Sequence, residues 1–129
     1  MANPVNPRPS KRTLASLTFS TAADGLSDTV DITGYFLAGI TMSTGWTDAA
    51  IGFKVCAEGS TNFIDLYTST GDLSTIVTTA NRAVVIPATN FLGFSRLQLV
   101  SETTAGVAVP QAASRSVQLA LYTYVSGGN

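Results

Sequence analysis

The residues best suited to chemistry in this sequence are its carboxylates, which can transfer protons, act as nucleophiles or bind cations. There are eight of them: Asp24, Asp28, Asp31, Asp48, Glu58, Asp65, Asp72 and Glu102. A glycosidase needs two carboxyl groups facing each other across a cleft, one with a raised pKa. Calcium could instead be held by Asp24 with Asp28 or by Asp65 with Asp72, since Ca²⁺ takes oxygen ligands from loops. Most of these carboxylates fall at predicted turns or strand ends, where Asp caps loops, so the sequence favours a structural role for them.

The sequence has no histidine and a single cysteine, Cys56. Without histidine there is no Ser-His-Asp or Cys-His arrangement for nucleophilic catalysis. One cysteine cannot form an internal disulfide, and the usual zinc ligand sets cannot be assembled. The glycines are scattered as turn residues and form no phosphate-binding loop. We therefore predict a protein that is not an enzyme, with no catalytic residue, no metal site and no cofactor.

Three aromatic residues are candidates for contacts with a partner. Trp46 follows Gly45 at the end of a predicted strand, where an exposed indole could stack on a sugar ring. The alternative, which we favour, is that Trp46 is a core residue that closes one end of the fold. Tyr122 and Tyr124 lie on the alternate face of the last predicted strand and are candidate interface residues.

The charge content is low for a chain of 129 residues. Charged residues make up 12%, against roughly 25% in ordinary domains, and the net charge is −1. Few charges suit a protein packed against neighbours, because charged residues are depleted at interface cores. The small net charge argues against binding to nucleic acid or to an acidic membrane. No secretory leader or membrane span is recognisable, so we expect synthesis in the cytoplasm without an export signal.

Period-two alternation runs along most of the chain and predicts strands with one buried face. The clearest examples are residues 36–43, 51–58, 95–100 and 116–125, and shorter candidates are 14–20, 28–33, 62–68, 73–78 and 82–86. Turn signals separate them; Glu58-Gly59-Ser60 reads as the tip of a β-hairpin. Short strands spaced by turns predict an all-β fold, an antiparallel β-sandwich with a jelly-roll order favoured over an immunoglobulin-like one.

The first residues form a separate, proline-rich segment. Each proline disfavours helix in the residue before it, so residues 1–12 are predicted to be an extended arm. Its candidate contact residues are Pro4, Pro7, Arg8, Pro9, Lys11 and Arg12. The predicted organisation is this arm, a β-sandwich domain over residues 13–125, and a flexible tail over residues 126–129.

Several segments resemble small proteins encoded among the virion genes of tailed phages. Residues 45–53 (GWTDAAIGF) are similar to their Trp-Thr-x-Ala-x-Leu/Ile-x-Phe segment, and residues 55–67 to their Asp-Gly hairpin, with Cys56 and Glu58 replacing Ser and Asp. Residues 94–101 and 109–115 resemble the end of those proteins, although Gln98 replaces a basic residue. The similarity covers roughly residues 30–121, and the hairpin also resembles discoidin-like, galactose-binding jelly rolls.

The resemblance implies a non-enzymatic virion component, such as a capsid decoration protein, a head-fibre base or a connector piece. It offers no catalytic motif to carry over. We expect the chain to locate to the virion, to self-associate as a homo-oligomer, and to bind the major capsid protein or another virion protein. The rival hypothesis is a carbohydrate-binding module that attaches to a host surface, with Trp46 and a loop tyrosine as its stacking platform. A third is an enzyme with a carboxylate pair.

Overall fold

The computed structural model describes residues 12–87, 91 and 93–123, and all of its strands pair antiparallel. The strands are β1 (Arg12–Phe19), β2 (Leu26–Asp31), β3 (Tyr35–Thr41), β4 (Ala50–Ala57), β5 (Ile64–Asp65), β6 (Thr75–Ile76), β7 (Ala83–Val85), β8 (Phe94–Glu102) and β9 (Arg115–Thr123). The predicted all-β sandwich is confirmed. Of the predicted arm and tail, residues 1–11 and 126–129 lie outside the described residues, and Arg12 is already the first residue of β1.

The strands form two halves of one curled sheet. The first half has the order β7-β3-β9-β1, and the second half has the order β2-β8-β4, with β5 and β6 both paired to the outer edge of β4. The halves are continuous through β1 and β2, where Phe19 is paired with Ser27. Most strands that are neighbours in the chain alternate between the halves, as β2 and β3 do, and their connections cross from one layer to the other. The exceptions are β4, β5 and β6, which follow one another in the second half.

One apolar cluster fills the space between the halves. The first half contributes Leu17, Phe19 and Leu119, and the second contributes Phe53 and Leu97, all 2% exposed or less. Burying side chains of this size from both sheets is the main stabilising term of a sandwich. The alternation in the sequence predicts this inward face correctly on β4, β8 and β9.

A bulge in β3 breaks the alternation predicted for residues 36–43. Leu37 is paired with Leu121 and Gly39 with Ala120, so Ala38 is an extra residue without a counterpart on β9. Leu37 and Ile40 consequently both point into the core, while Phe36 is only half-buried. After the extra residue, the side chains of β3 point to the opposite face from the one that strict alternation predicts.

The hairpin predicted at Glu58-Gly59-Ser60 is present between β4 and β5. Ser60 donates its backbone N–H to the carbonyl of Ala57 at 2.9 Å, and Gly59 has a φ of +80°. A left-handed φ at the tip is the conformation that glycine adopts without steric cost. In the described part of the chain, no helix is long and apolar enough to cross a membrane.

Candidate interaction surface

The predicted contact residues fall into three groups in the structure. Tyr122 lies on β9, where it is half-buried and paired with Arg12 and Phe36 on the flanking strands. Trp46 is 4% exposed, packs edge-on against Phe19 with ring centroids 4.9 Å apart, and donates its indole N–H to the carbonyl of Ala49. This is the core position considered above, and it leaves no exposed indole for stacking on a sugar. The remaining candidates, Pro4, Pro7, Arg8, Pro9, Lys11 and Tyr124, lie outside the described residues.

Apart from Arg12, whose backbone is paired with Tyr122 at one corner, the residues that strand pairing places on the outer surface of the first half are uncharged. We call this surface the uncharged face. Cross-strand pairing assigns these residues to it: Leu14, Ser16, Thr18, Phe36, Gly39, Thr41, Ala83, Val85, Ser116, Gln118, Ala120 and Tyr122. A solvent-exposed sheet face ordinarily carries Lys, Glu and Arg, so a face made of hydroxyl, amide, small and apolar groups with a single Arg at one corner has the composition of a contact surface.

A continuous apolar row crosses the middle of the uncharged face. Leu14 on β1 is opposite Ala120 on β9, Ala120 is opposite Gly39 on β3, and Gly39 is opposite Val85 on β7. Leu14 is 61% exposed and Val85 is 84% exposed. The row therefore has a large apolar side chain at each end and a shallow centre.

The outer surface of the second half has the opposite character. Its charged residues are Asp31, Lys54, Asp65, Arg96 and Glu102. Lys54 and Asp65 form an ion pair at 2.9 Å. The two outer surfaces of the sandwich thus differ in charge although they belong to one short chain.

Glu102 is the most unusual charged group of that second surface. Its side chain lies over Gly52 and is only 6% exposed, so that a Cβ at position 52 would collide with its carboxylate. Burial raises the pKa of Glu102 above its ordinary value of 4.5, nearby Asp65 raises it further, and Lys54 acts in the opposite direction. The carboxylate of Glu102 therefore occupies the space that a side chain at position 52 would fill.

Most of the other carboxylates are engaged in turns and loops, as the sequence predicts. Asp24, Asp28 and Asp31 accept backbone N–H groups from Leu26, Thr18 and Thr33 respectively, and Asp48 accepts the hydroxyl of Thr79. The hydrogen bond from Thr33 to Asp31 lowers the pKa of that carboxyl group. Within residues 12–87, 91 and 93–123, no group of three Asp, Glu, Cys or His side chains is placed to hold a metal ion.

An aromatic pocket of about 210 Å³ opens at one end of the sandwich. Its polar side chains are Thr33 and Glu58, and its aromatic lining is Tyr35, Phe36, Phe91 and Phe94, completed by Ile32 and Gly34. Phe91 is buried against Phe53, with ring centroids 5.0 Å apart. Several rings beside a single carboxylate are a combination able to hold one sugar ring or one cationic group.

Two of the segments that carry the phage resemblance, residues 45–53 and 109–115, contact each other through Thr47 and Gln111. The side chain of Gln111, 2% exposed, accepts the N–H of Thr47 at 2.7 Å and donates to the carbonyl of Thr47 at 3.0 Å and to the hydroxyl of Ser101 at 2.9 Å. The hydroxyl of Thr47 in turn accepts the N–H of Ala112 at 3.0 Å. We call this arrangement the Gln111 clamp. It explains what the Trp-Thr and Gln-Ala segments do, a role that the sequence alone did not reveal.

Fold and surface together define an all-β antiparallel sandwich with one uncharged and one charged outer face. No protein-family model and no curated protein matches the chain. Among solved structures, a chain from infectious bursal disease virus, Gx strain, is similar at 15% identity and a TM-score of 0.33. That match covers all of this chain and 38% of the viral chain. A TM-score of this size does not establish a common fold, and no residue role follows from it.

Proposed function

We propose that this chain is a non-enzymatic structural protein of a virus particle, acting by protein–protein contact. In its specific form the proposal is a capsid decoration or other head-associated protein of a tailed phage, which binds the shell, its own copies, or both. The uncharged face is the observation that carries the proposal. Desolvating its twelve uncharged residues involves no burial of unpaired charge, which is the main obstacle to stable contact.

The strand order is consistent with this role. The halves β7-β3-β9-β1 and β2-β8-β4, extended by β5 and β6, have the pairing of a double Greek key, and we infer a jelly roll from it. Jelly rolls occur in viral capsid domains, lectins and cupins. The fold is therefore compatible with a virion protein without selecting that function over the others.

The Gln111 clamp joins two of the segments on which the resemblance to phage virion proteins rests. The segments at Thr47 and Gln111 are far apart in the chain, yet they contact each other through buried hydrogen bonds. The same observation assigns these residues a structural role within the fold.

Co-sedimentation tests the proposal directly. The purified chain is mixed with assembled shells of the virus whose genome encodes it, and the pelleted fraction is measured against a shell-free sample. We expect saturable binding at a fixed ratio to the major capsid protein. A chain that stays in the supernatant at every concentration, and is also absent from purified particles, would refute the proposal.

A carbohydrate-binding module is the second candidate function. Its sugar site would be the aromatic pocket, because the indole of Trp46 is buried. Stacking on a ring at the rim should dominate the affinity for a sugar. We expect Tyr35→Ala to weaken glycan binding about tenfold, equivalent to about 1.4 kcal/mol. Tyr67→Ala is the matched control, because Tyr67 is 56% exposed and does not line the pocket. A glycan array without hits removes this candidate.

A further inference from the structure

We propose that the occupant of the uncharged face is a second copy of this chain, packed face to face about a two-fold axis. This inference rests on the proposed function, since it specifies one of the protein contacts that the function requires. It adds the surface, the partner and the symmetry of the contact. Two-fold packing places the same residues on both sides of the interface, so the face must be complementary to itself.

The apolar row meets that requirement. A two-fold axis parallel to the strands and midway between β9 and β3 exchanges the two ends of the row. Leu14 of one copy then faces Val85 of the other, and the shallow centre of Ala120 and Gly39 faces its own counterpart. An axis along the row instead places Leu14 opposite Leu14. In either arrangement apolar groups contact apolar groups, and the exposed side chains of Leu14 and Val85 become buried in the interface.

Charge distinguishes this surface from the other outer face. Stacking the uncharged face on itself involves one charged residue per copy, Arg12, which strand pairing places at a corner of the face, two residues from Leu14 and the apolar row. Stacking the second half on itself would desolvate Asp31, Arg96 and the ion pair of Lys54 with Asp65, and would bury Glu102 still further. Desolvation of ionic groups is costly unless each is paired with good geometry. Self-association is therefore favoured through the first half.

The size of the face sets the strength of the contact. Four strands about 4.8 Å apart, with about seven residues each at about 3.3 Å, give roughly 400 Å² per copy. Stable dimers bury about 800 Å² per partner, so the isolated pair should be weak. We expect a partial dimer at about 1 mM chain and a monomer at about 1 µM. A contact of this size becomes significant where an assembly holds many copies close together.

Site-specific cross-linking is the appropriate test, because it captures a weak dimer. Ala120→Cys introduces a thiol at the centre of the row, while the native Cys56 is free and fully buried. A short bis-maleimide is used in place of direct oxidation, since packed sheets lie about 10 Å apart, beyond the reach of a disulfide. The control is Thr29→Cys, an exposed position on the outer surface of the second half.

We expect the cysteine at position 120 to yield covalent dimers whose fraction rises with chain concentration, and the cysteine at position 29 to yield few. Adding Leu14→Lys and Val85→Lys to the Ala120→Cys chain should abolish the dimers. Both side chains are exposed, so the denaturation midpoint should stay unchanged. Sedimentation velocity of the native chain over the same concentrations provides an independent measure of mass.

Equal cross-linking at positions 29 and 120, or none at 120 at the highest concentration, would overturn the inference. The shell experiment separates this result from failure of the proposed function. A chain that binds shells but never cross-links through position 120 retains the function and loses this interface. If the chain neither binds shells nor cross-links through position 120, both the proposed function and this interface are refuted.

Discussion

Replacing Gly25 with alanine should cost on the order of 3 kcal/mol of folding free energy or more. Gly25 has a φ of +69°, which a side chain disfavours, and an added Cβ would collide with the backbone carbonyl oxygen of Ser101. The neighbouring strand cannot retreat easily, because Ser101 donates its N–H to the carbonyl of Gly25 at 2.7 Å. Urea denaturation of the purified variant measures the loss.

Gly34→Ala is the matched control for this substitution. Gly34 also has a left-handed φ, +81°, but nothing lies within 4 Å of an added Cβ. Its variant should lose only the conformational term, about 1 kcal/mol. If the two variants lose the same free energy within about 0.5 kcal/mol, the close approach to Ser101 contributes nothing and the explanation is wrong.

The strands and the fold class could be predicted from the sequence because each strand buries one face. Alternation at residues 116–125 and 95–100 corresponds to β9 and β8, with Leu119 and Leu97 fully buried as expected. The edge strands are predicted less well. The segments at 62–68 and 73–78 form only the two-residue strands β5 and β6 and one isolated bridge between Tyr67 and Leu73. An edge strand has one neighbour, so fewer backbone hydrogen bonds determine its length.

The uncharged face could not be predicted because it depends on strand order and register. Leu14, Ala120, Gly39 and Val85 come from four separate strands, and only their pairing shows that they form one row. The bulge at Ala38 matters here, since it turns Gly39 outward into that row. Local alternation gives the facing within a strand but contains no information about which strands are neighbours.

The buried environment of Glu102 could not be predicted from the sequence either. In the sequence it is one carboxylate among eight, at the end of a strand. Its burial follows from Gly52 on the adjacent strand, which leaves room for the carboxylate, and from the proximity of Asp65 on a third strand. A raised pKa of this kind arises from tertiary burial and neighbouring charge, neither of which spacing along the chain reveals.

The Gln111 clamp leads to the second large expected effect. Gln111→Glu keeps the shape of the side chain but replaces the amide NH₂, which donates to Thr47 and Ser101, with a second oxygen. At neutral pH the variant therefore buries a carboxylate facing a carbonyl oxygen. We expect a loss of about 3 kcal/mol or more relative to the native chain.

The pH dependence of that loss distinguishes hydrogen bonding from packing. Burial raises the pKa of a carboxyl group, so the folded variant binds a proton at a higher pH than the unfolded one. Its stability should therefore increase as the pH falls from 8 to 5, because a protonated Glu can again donate to the carbonyl of Thr47. Gln118→Glu, at an exposed position on β9, is the control and should change stability by about 0.5 kcal/mol or less. Denaturation at low chain concentration measures both, and a loss for Gln111→Glu that stays constant over this pH range would mean that the donated hydrogen bonds are not what holds the two segments together.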